Sequence, residues 1–179
     1  MKITMYTDGS SRGNPGPGGW GVVIITDDEV IELGGREDVT TNNRMELFGT
    51  IEGLKHVNRR QQIIDESKNN DTHTTVTSVE VCTDSQYVKK GMTEWIEGWI
   101  RKGWKGSTKK EVLNRDLWEQ LLHEETRLKN SGVSITWTYV KGHAGIPGNE
   151  RADAIATGCA DNANNLQLYR GERSSYPFL

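Results

Sequence analysis

Residues 3–35 read ITMYTDGSSRGNPGPGGWGVVIITDDEVIELGG and contain three β-prone runs separated by turn residues. The alternating run Ile3–Thr7 predicts a first strand that ends at Asp8. Trp20–Thr26 predicts a second strand and Val30–Gly35 predicts a third. Because the links between them are short, we expect the three strands to pair as an antiparallel meander.

The rest of the chain predicts helices that alternate with two further strands. Residues 9–19, rich in glycine and proline, predict a loop. The predicted helices cover residues 43–58, a short stretch from 85, 94–102, 114–129 and 149–160, and the predicted strands cover residues 79–83 and 133–140. A meander followed by alternating helices and strands predicts an α/β fold with helices packed on a mixed sheet.

The length of 179 residues fits one domain with a real core, which we place at residues 1–160. Residues 59–77 are polar and predict a surface insertion, and residues 161–179 predict a flexible, loosely held tail. No segment approaches the roughly 18 apolar residues of a membrane span, and the N-terminus lacks the apolar region of a secretory signal. We therefore expect a cytoplasmic protein with no membrane partner. Its two cysteines fit a reducing compartment, and one disulfide bond between them stays an alternative.

Four acidic residues stand at comparable places in the predicted elements. Asp8 and Asp84 end strands, whereas Glu46 and Asp153 lie in the first turns of helices. Each has an ordinary structural explanation: a turn, a helix cap, the helix dipole or, for Glu46, a capping box with Asn43. If the two strands are neighbours, the four carboxylates converge at one sheet edge, where their repulsion calls for a cation. Carboxylates from separate parts of a fold are what a magnesium site for phosphodiester cleavage needs.

Five motifs surround these acids and occur in one order over residues 3–157. They are TDGSxxGNPGPGG, TTNNRME, TDSQYV, WIxxWxxxGWK and VKGHAGxxGNExxD. The set resembles type 1 ribonuclease H, the enzymes that cut RNA paired to DNA. The resemblance implies a ribonuclease H-like fold with a five-stranded mixed sheet, in which strands 1–3 are antiparallel and strands 4 and 5 are parallel additions. It also implies a catalytic domain over residues 1–160 with a basic handle over residues 94–115.

The resemblance assigns the four acids to a metal site. Two Mg²⁺ ions about 4 Å apart would straddle the scissile phosphate, with Mn²⁺ as a substitute. Asp8 would bridge both ions and Asp153 would complete the site of the attacking water. Glu46 and Asp84 would hold the ion beside the leaving 3′ oxygen. The products would carry 5′-phosphate and 3′-hydroxyl ends.

His143 lies between glycines in KGHAG and matches the mobile active-site histidine of the family. A lone loop histidine is more often merely exposed to solvent. Beside a carboxylate cluster, its ordinary pKa near neutrality suits proton transfer or help with product release. We therefore expect a catalytic residue that is not a metal ligand.

The resemblance also implies contacts to an RNA–DNA hybrid, with little base-sequence specificity. One group of residues would sense the RNA strand and its 2′-hydroxyls, a second would line a channel for deoxyribose, and a third would form a pocket for a DNA phosphate. These groups are Gly9, Ser10, Asn14, Asn42 and Gln86; Tyr87, Trp95 and Trp99; and Thr41, Arg44 and Asn114, respectively.

The handle adds charge to these contacts. Residues 101–115 hold six basic side chains against one glutamate. This excess of positive charge would bind a phosphate backbone, but it is also typical of a solvent-exposed helix. Three other functions stay open: a catalytically weak hybrid-binding module, another metal nuclease of this fold such as a resolvase, and the nuclease domain of a retroviral polymerase. We expect a monomer, and the sequence names no protein partner for the tail.

Overall fold

The computed structural model describes residues 1–66 and 75–178. The strands are β1 (Lys2–Ser11), β2 (Gly16–Ile25), β3 (Glu29–Thr40), β4 (Ser78–Thr83), β5 (Ser134–Tyr139) and β6 (Arg170–Glu172). The helices are α1 (Asn42–Glu66), α2 (Gln86–Lys90), α3 (Ile96–Arg101), α4 (Arg115–Asn130) and α5 (Pro147–Ala160). A π-helical turn over Gly91–Trp95 joins α2 to α3, so the handle begins with one helical run rather than two separate helices.

All six of these strands form one mixed sheet in the order β5-β4-β1-β2-β3-β6. The β1–β2 and β2–β3 pairs are antiparallel, whereas β4 pairs in parallel with both β1 and β5. This arrangement confirms the predicted fold class. The strand count differs by one because the C-terminal tail adds β6 antiparallel to β3.

The predicted loop over residues 9–19 is mostly strand. The β1–β2 ladder continues from Asp8 opposite Gly21 to Ser11 opposite Gly18, which leaves only a tight turn between the strands. Glycine is needed here because both faces of the sheet are covered closely. A Cβ on Gly9 would collide with the backbone of α1 at Glu46, and a Cβ on Gly19 would collide with α5 at Ala156.

Helix α1 ends at Glu66, beyond the predicted end at residue 58, so residues 59–66 of the predicted insertion are helical. The polar composition misleads because this part of the helix is fixed by buried polar contacts. Asn58 is buried and donates to the backbone oxygen of Glu124, 3.0 Å away on α4. Gln61 is also buried, and its side-chain oxygen accepts from Val76 N at 3.2 Å. The middle of the predicted insertion, residues 67–74, lies outside the described residues.

The described part of the tail, residues 161–178, is anchored to the sheet, whereas the sequence predicted a loosely held tail over residues 161–179. Tyr176 is buried and belongs to the apolar cluster on the α5 side of the sheet, with Val23 and Ile155. The other apolar cluster lies between the opposite sheet face and helices α1 and α4. Composition could not reveal this packing because the tail is anchored by a buried ionic group rather than by a long apolar stretch. Among the described residues, no helix has the length and apolar character that a membrane crossing requires.

Candidate active site

Two of the four acids are brought together by the register of parallel strands. The β1–β4 ladder ends at Thr7 opposite Thr83. Asp8 and Asp84 each follow the last paired residue, so they emerge side by side at one sheet edge. Asp84 also precedes Ser85, whose hydroxyl accepts from Val88 N and caps α2. The cap is therefore Ser85, which leaves the Asp84 carboxylate available at the edge.

Helix α1 brings Glu46 to the same edge. The helix begins at Asn42, and the hydroxyl of Thr41 accepts from Arg44 N at 3.4 Å, so Thr41 takes the capping position expected of Asn43. Glu46 thus lies beyond the position of a capping-box partner, and its structural explanation fails. Gly49 sits so close to β1 that an added Cβ would lie 3.2 Å from Asp8 O. This close approach points Glu46 at the end of β1.

One oxygen each from Asp8, Glu46 and Asp84 lies within 4.8 Å of the other two. Asp8 and Glu46 are buried, and Glu46 Oε2 has no hydrogen-bond partner among the residues that the structure describes. Asp8 Oδ1 accepts from Gly9 N at 2.8 Å. A buried, unpartnered carboxylate oxygen beside two other carboxylates fits a divalent cation, because hard oxygen ligands are what Mg²⁺ and Mn²⁺ prefer.

The electrostatics of the cluster lead to the same conclusion. Burial and, next, the negative charge of Asp84 raise the pKa of Asp8 to about 8, against the hydrogen bond from Gly9 N. Burial and then the charges of Asp8 and Asp84 raise the pKa of Glu46 well above its usual range. Both shifts record the cost of crowding carboxylates in a dry site, which a cation would remove.

Asp153 lies beside this cluster but outside the set of oxygens within 4.8 Å. It stands in the second turn of α5, because the helix begins at Pro147 rather than at residue 149. Its charge and a side-chain hydrogen bond both act on Asp8 and raise the Asp8 pKa. The structure therefore brings three acids together tightly and places the fourth next to Asp8.

Asn149 is a site residue that the sequence analysis missed. It is 2% exposed, and its Nδ2 donates to Asp84 Oδ2 at 3.2 Å. Its own Oδ1 is buried and, within residues 1–66 and 75–178, has no hydrogen-bond partner. The GNE segment of the last motif contained this residue, but a neutral amide one turn before Asp153 gave no reason to single it out.

His143 is exposed on the turn between β5 and α5. Its φ of 51° and the φ of 76° at Gly145 mark a sharply turned backbone. Gly145 N donates to Glu150 at 3.1 Å, which ties the turn to α5. The turn passes close to the cluster, since a Cβ on Gly142 would lie 2.7 Å from Asp84 Oδ2. His143 thus stands at the rim of the acidic cluster, one residue from this approach.

The aromatic residues of the predicted deoxyribose channel lie together at the handle. Ring centroids are 6.4 Å apart for Tyr87 and Trp95 and 5.8 Å apart for Trp95 and Trp99. Trp118 of α4 packs on both Tyr87 and Trp99 and donates to Tyr87 Oη at 3.1 Å. Trp95 and Trp99 remain partly exposed, so each ring combines packing in the handle with a solvent-facing surface.

Hydrogen bonds link the residues of the predicted phosphate pocket. Arg44 donates to Asn114 Oδ1 at 3.3 Å, and the hydroxyl of Thr41 accepts from Arg44 N. Arg44 also forms a two-pronged ion pair with Asp116, at 3.1 and 2.8 Å. Asn114 has a φ of 59° and precedes α4. The pocket is thus assembled with its arginine already paired.

The residues expected to read the RNA strand lie in segments that flank the acidic residues in the chain. Asn42 and Gln86 are exposed first residues of α1 and α2, close in the chain to Glu46 and Asp84. Asn14 is exposed in the turn between β1 and β2. The backbone of Gly9 and Ser10 continues β1 directly from Asp8. The side chains of Asn14, Asn42 and Gln86 are thus all accessible to a ligand.

A mixed sheet with three convergent carboxylates at its edge defines an α/β protein with a candidate divalent-metal site. A family model described as RNase H matches residues 1–161. Ribonuclease H of Marinobacter nauticus is 48% identical over 155 residues, which cover 87% of this chain and 91% of that protein. Ribonuclease H of Chromohalobacter salexigens is 43% identical over 174 residues, which cover 96% and 93%.

Solved structures agree with these sequence matches. The crystal structure of LC9-RNase H1, a type 1 RNase H with the type 2 active-site motif, gives a TM-score of 0.70 at 29% identity. The match covers 94% of this chain and 76% of that one. The chain belongs to the ribonuclease H family. It is an enzyme of the endoribonuclease class. Ribonucleases H use divalent metal ions, and the chain carries an acidic cluster that could hold such an ion.

Proposed function

We propose that the chain hydrolyses the RNA strand of RNA–DNA hybrids, with Mg²⁺ as its cofactor, and leaves 5′-phosphate and 3′-hydroxyl ends. The observation that carries the proposal is the convergence of Asp8, Glu46 and Asp84 within 4.8 Å, in a chain of the ribonuclease H family. Mn²⁺ should replace Mg²⁺, because both accept carboxylate oxygens.

The carboxylates divide between two ion positions. The charges of both Asp84 and Asp153 act on Asp8, so Asp8 would be the ligand shared by both ions. Glu46 and Asp84 would complete the position on the side of the leaving oxygen, and Asp153 the position on the side of the attacking water. When bound, the two ions supply an activated water and stabilise both oxygens of an in-line displacement. Asn149 holds Asp84 through its 3.2 Å hydrogen bond and so orients one ligand.

His143 would act next to this centre rather than in it. Its exposed position on the turn after β5 gives it access to the departing product or to a proton at the scissile phosphate. The hydrogen bond from Gly145 N to Glu150 ties the end of this turn to α5. Any movement of His143 would therefore involve only the residues of the turn itself. We assign it proton transfer or product release.

Selection of an RNA–DNA hybrid would come from three groups of residues: polar side chains for the RNA strand, aromatic side chains for the DNA sugars, and a pocket for a DNA phosphate. Asn14, Asn42 and Gln86 offer donors and acceptors for 2′-hydroxyl groups, the feature that distinguishes RNA from DNA. The partly exposed faces of Trp95 and Trp99 provide apolar surface for the sugars of the DNA strand. Thr41, Arg44 and Asn114 would receive a DNA phosphate, and the basic side chains of residues 101–115 would add salt-dependent affinity that is independent of base order.

Matched labelled duplexes test this proposal. With Mg²⁺ the chain should cut the RNA of an RNA–DNA hybrid and leave duplex DNA of the same sequence intact. Asp8→Asn should abolish turnover and leave hybrid binding largely intact. Asp27→Asn is the matched control, because Asp27 is exposed in the β2–β3 turn at the opposite end of the β1–β2 ladder. The proposal would be overturned if the hybrid stayed uncut with Mg²⁺ and also with Mn²⁺. Equal activity of Asp8→Asn and Asp27→Asn would overturn it as well.

A further inference from the structure

The C-terminal tail closes around a buried ion pair between β3 and α5. Arg151 donates to both carboxylate oxygens of Glu32, at 2.7 and 2.8 Å. The tail supplies two more donors to the same carboxylate, Tyr169 N at 2.8 Å and Tyr176 Oη at 2.6 Å. The Glu32 side chain is 0% exposed and the Arg151 side chain 13%. We call Glu32, Arg151 and the tail residues that hold them the tail clamp.

The tail also holds the arginine of this pair. Arg151 donates to the backbone oxygen of Gln167 at 2.8 Å. The ring of Phe178 lies 4.2 Å from the guanidinium carbon, within cation–π distance. Phe178 in turn packs edge-on against Tyr176, with ring centroids 5.5 Å apart. Arg151 is therefore enclosed by the tail from several sides.

Helix α5 depends on such anchors because it lies on a smooth part of the sheet. A Cβ on Gly19 would collide with the backbone of α5 at Ala156, and a Cβ on Gly21 would collide with it at Ala152. Glycines allow this close approach, but they offer few side chains to interlock with those of the helix. Polar anchors then have more influence on where the helix sits. Such anchors include the pair of Arg151 with Glu32, and Arg36, which donates to the last carbonyls of α5.

Arg151 and Asp153 are two residues apart on α5, which places them on roughly opposite sides of the helix, about 200° around and about 3 Å along its axis. A rotation or shift of α5 that frees Arg151 would therefore also move Asp153 relative to Asp8. Asn149, one turn earlier, would move relative to Asp84, which its side chain contacts.

We propose that the tail clamp is a positioning device for the metal site: the tail holds α5 through Arg151 and Glu32, and so sets the place of Asp153 beside Asp8. This rests on the proposed function, since it concerns the metal ligand of that same site. Tyr176 and Phe178 are then positioning residues that act through the helix.

The variants Tyr176→Phe and Phe178→Ala test this role. Tyr176→Phe removes the hydroxyl that donates to Glu32 and keeps the ring, whereas Phe178→Ala removes the ring over Arg151. Tyr169→Phe is the matched control, since its hydroxyl donates to Glu172 O at 2.7 Å within the tail and its backbone bond to Glu32 remains. Mn²⁺ affinity is measured by calorimetry without nucleic acid, below the melting temperature of every variant.

Tyr176→Phe and Phe178→Ala should each raise the Mn²⁺ dissociation constant roughly three- to tenfold, at or below the range for groups that directly support metal ligands. Tyr169→Phe should leave the constant unchanged. Saturating Mn²⁺ should restore most of the kcat of the two variants, with KM for hybrid unaltered. Lower melting temperatures with unchanged Mn²⁺ affinity would show that the tail only stabilises the fold, and would overturn the clamp alone. A wild-type chain that binds no Mn²⁺ would overturn the proposed metal centre and the clamp with it.

Discussion

Removing the charge of Asp8 should make the metal-free protein more stable while it destroys activity. Asp8 lies in the crowded, buried cluster with Glu46 and Asp84, where burial and the Asp84 charge raise its pKa to about 8 from a usual 3.8. Asn at this position keeps an oxygen that can accept from Gly9 N, so the backbone contact survives. What is lost is the repulsion, and with it the carboxylate that we propose as the shared metal ligand.

The size of the effect follows from the raised pKa of Asp8. A tenfold change in proton affinity corresponds to about 1.4 kcal/mol, so the whole displacement of this pKa would amount to several kcal/mol at neutral pH. The carboxylates share this cost, because Glu46 is also driven towards its neutral form. Asp8→Asn also leaves the Glu46–Asp84 repulsion in place. We therefore expect a gain of about 1–3 kcal/mol in the unfolding free energy.

The dependence on pH has a definite sign. A carboxyl whose pKa is higher in the folded state binds its proton more tightly there, so its contribution favours the folded state below the unfolded pKa. For Asp8 this contribution is lost as the pH rises from near 3.8 to about 8. Urea unfolding with a chelator, at about pH 5 in the lower part of this range and about pH 7.5 near its top, should show the gain of Asp8→Asn growing with pH.

A control variant and a Mg²⁺ titration distinguish relief of carboxylate repulsion from a stabilisation that is unrelated to the metal site. Asp27→Asn, in the exposed β2–β3 turn, should change neither stability nor hybrid cleavage. Mg²⁺ should stabilise the wild-type chain and have much less effect on Asp8→Asn. If Asp8→Asn were less stable than wild type without metal, or if its gain did not grow with pH, the electrostatic account of the cluster would be refuted.

Three other changes test the remaining parts of the structure. Asn58→Ala should lower the unfolding free energy by about 1–3 kcal/mol, because Asn58 is buried and bonds Glu124, whereas Gln62→Ala on the exposed face of α1 should have little effect in urea unfolding. Replacing Lys102 and Lys110 of the handle by Gln should weaken hybrid binding and reduce its salt slope by about one for each lysine that contacts a phosphate; an unchanged slope would place the hybrid elsewhere. His143→Ala should lower kcat about 10- to 100-fold while Mn²⁺ affinity by calorimetry stays unchanged, and a loss of Mn²⁺ affinity would make His143 a ligand.

The sequence predicts that Asp8 and Asp84 meet at one edge of the sheet, and the physical reason is the pairing of parallel strands. Residues that directly follow two neighbouring parallel strands lie at the same edge of the sheet. Asp8 and Asp84 could therefore be placed side by side once their strands were recognised. Glu46 was harder, because its helix begins at Asn42 and the apparent capping box with Asn43 is not formed. Its placement depends on how closely α1 approaches β1 at Gly49, which is a matter of packing.

Features that depend on partners far apart in the chain could not be predicted. Glu32 lies among apolar residues of β3, where a charged side chain normally faces solvent. Its burial becomes clear only when Arg151 and Tyr176 are seen beside it, more than a hundred residues later in the chain. The same holds for Asn58, whose polar neighbours indicated a loop until its contact with α4 was known.

The four acids differ in how firmly the fold holds them, and this difference suggests where the site can be tuned. Asp8 and Asp84 extend from paired strands of the central sheet, and Glu46 lies on a helix whose close contact with β1 leaves little room for movement. Asp153 is on α5, which rests on glycines and is anchored by polar groups at Glu32 and Arg36. Substitutions in the tail should therefore change the metal position that depends on Asp153 more than the one held by Glu46 and Asp84. The end of the tail contacts Glu32 through Tyr176 and Arg151 through Phe178, so it is the part of the chain through which we expect metal affinity to change.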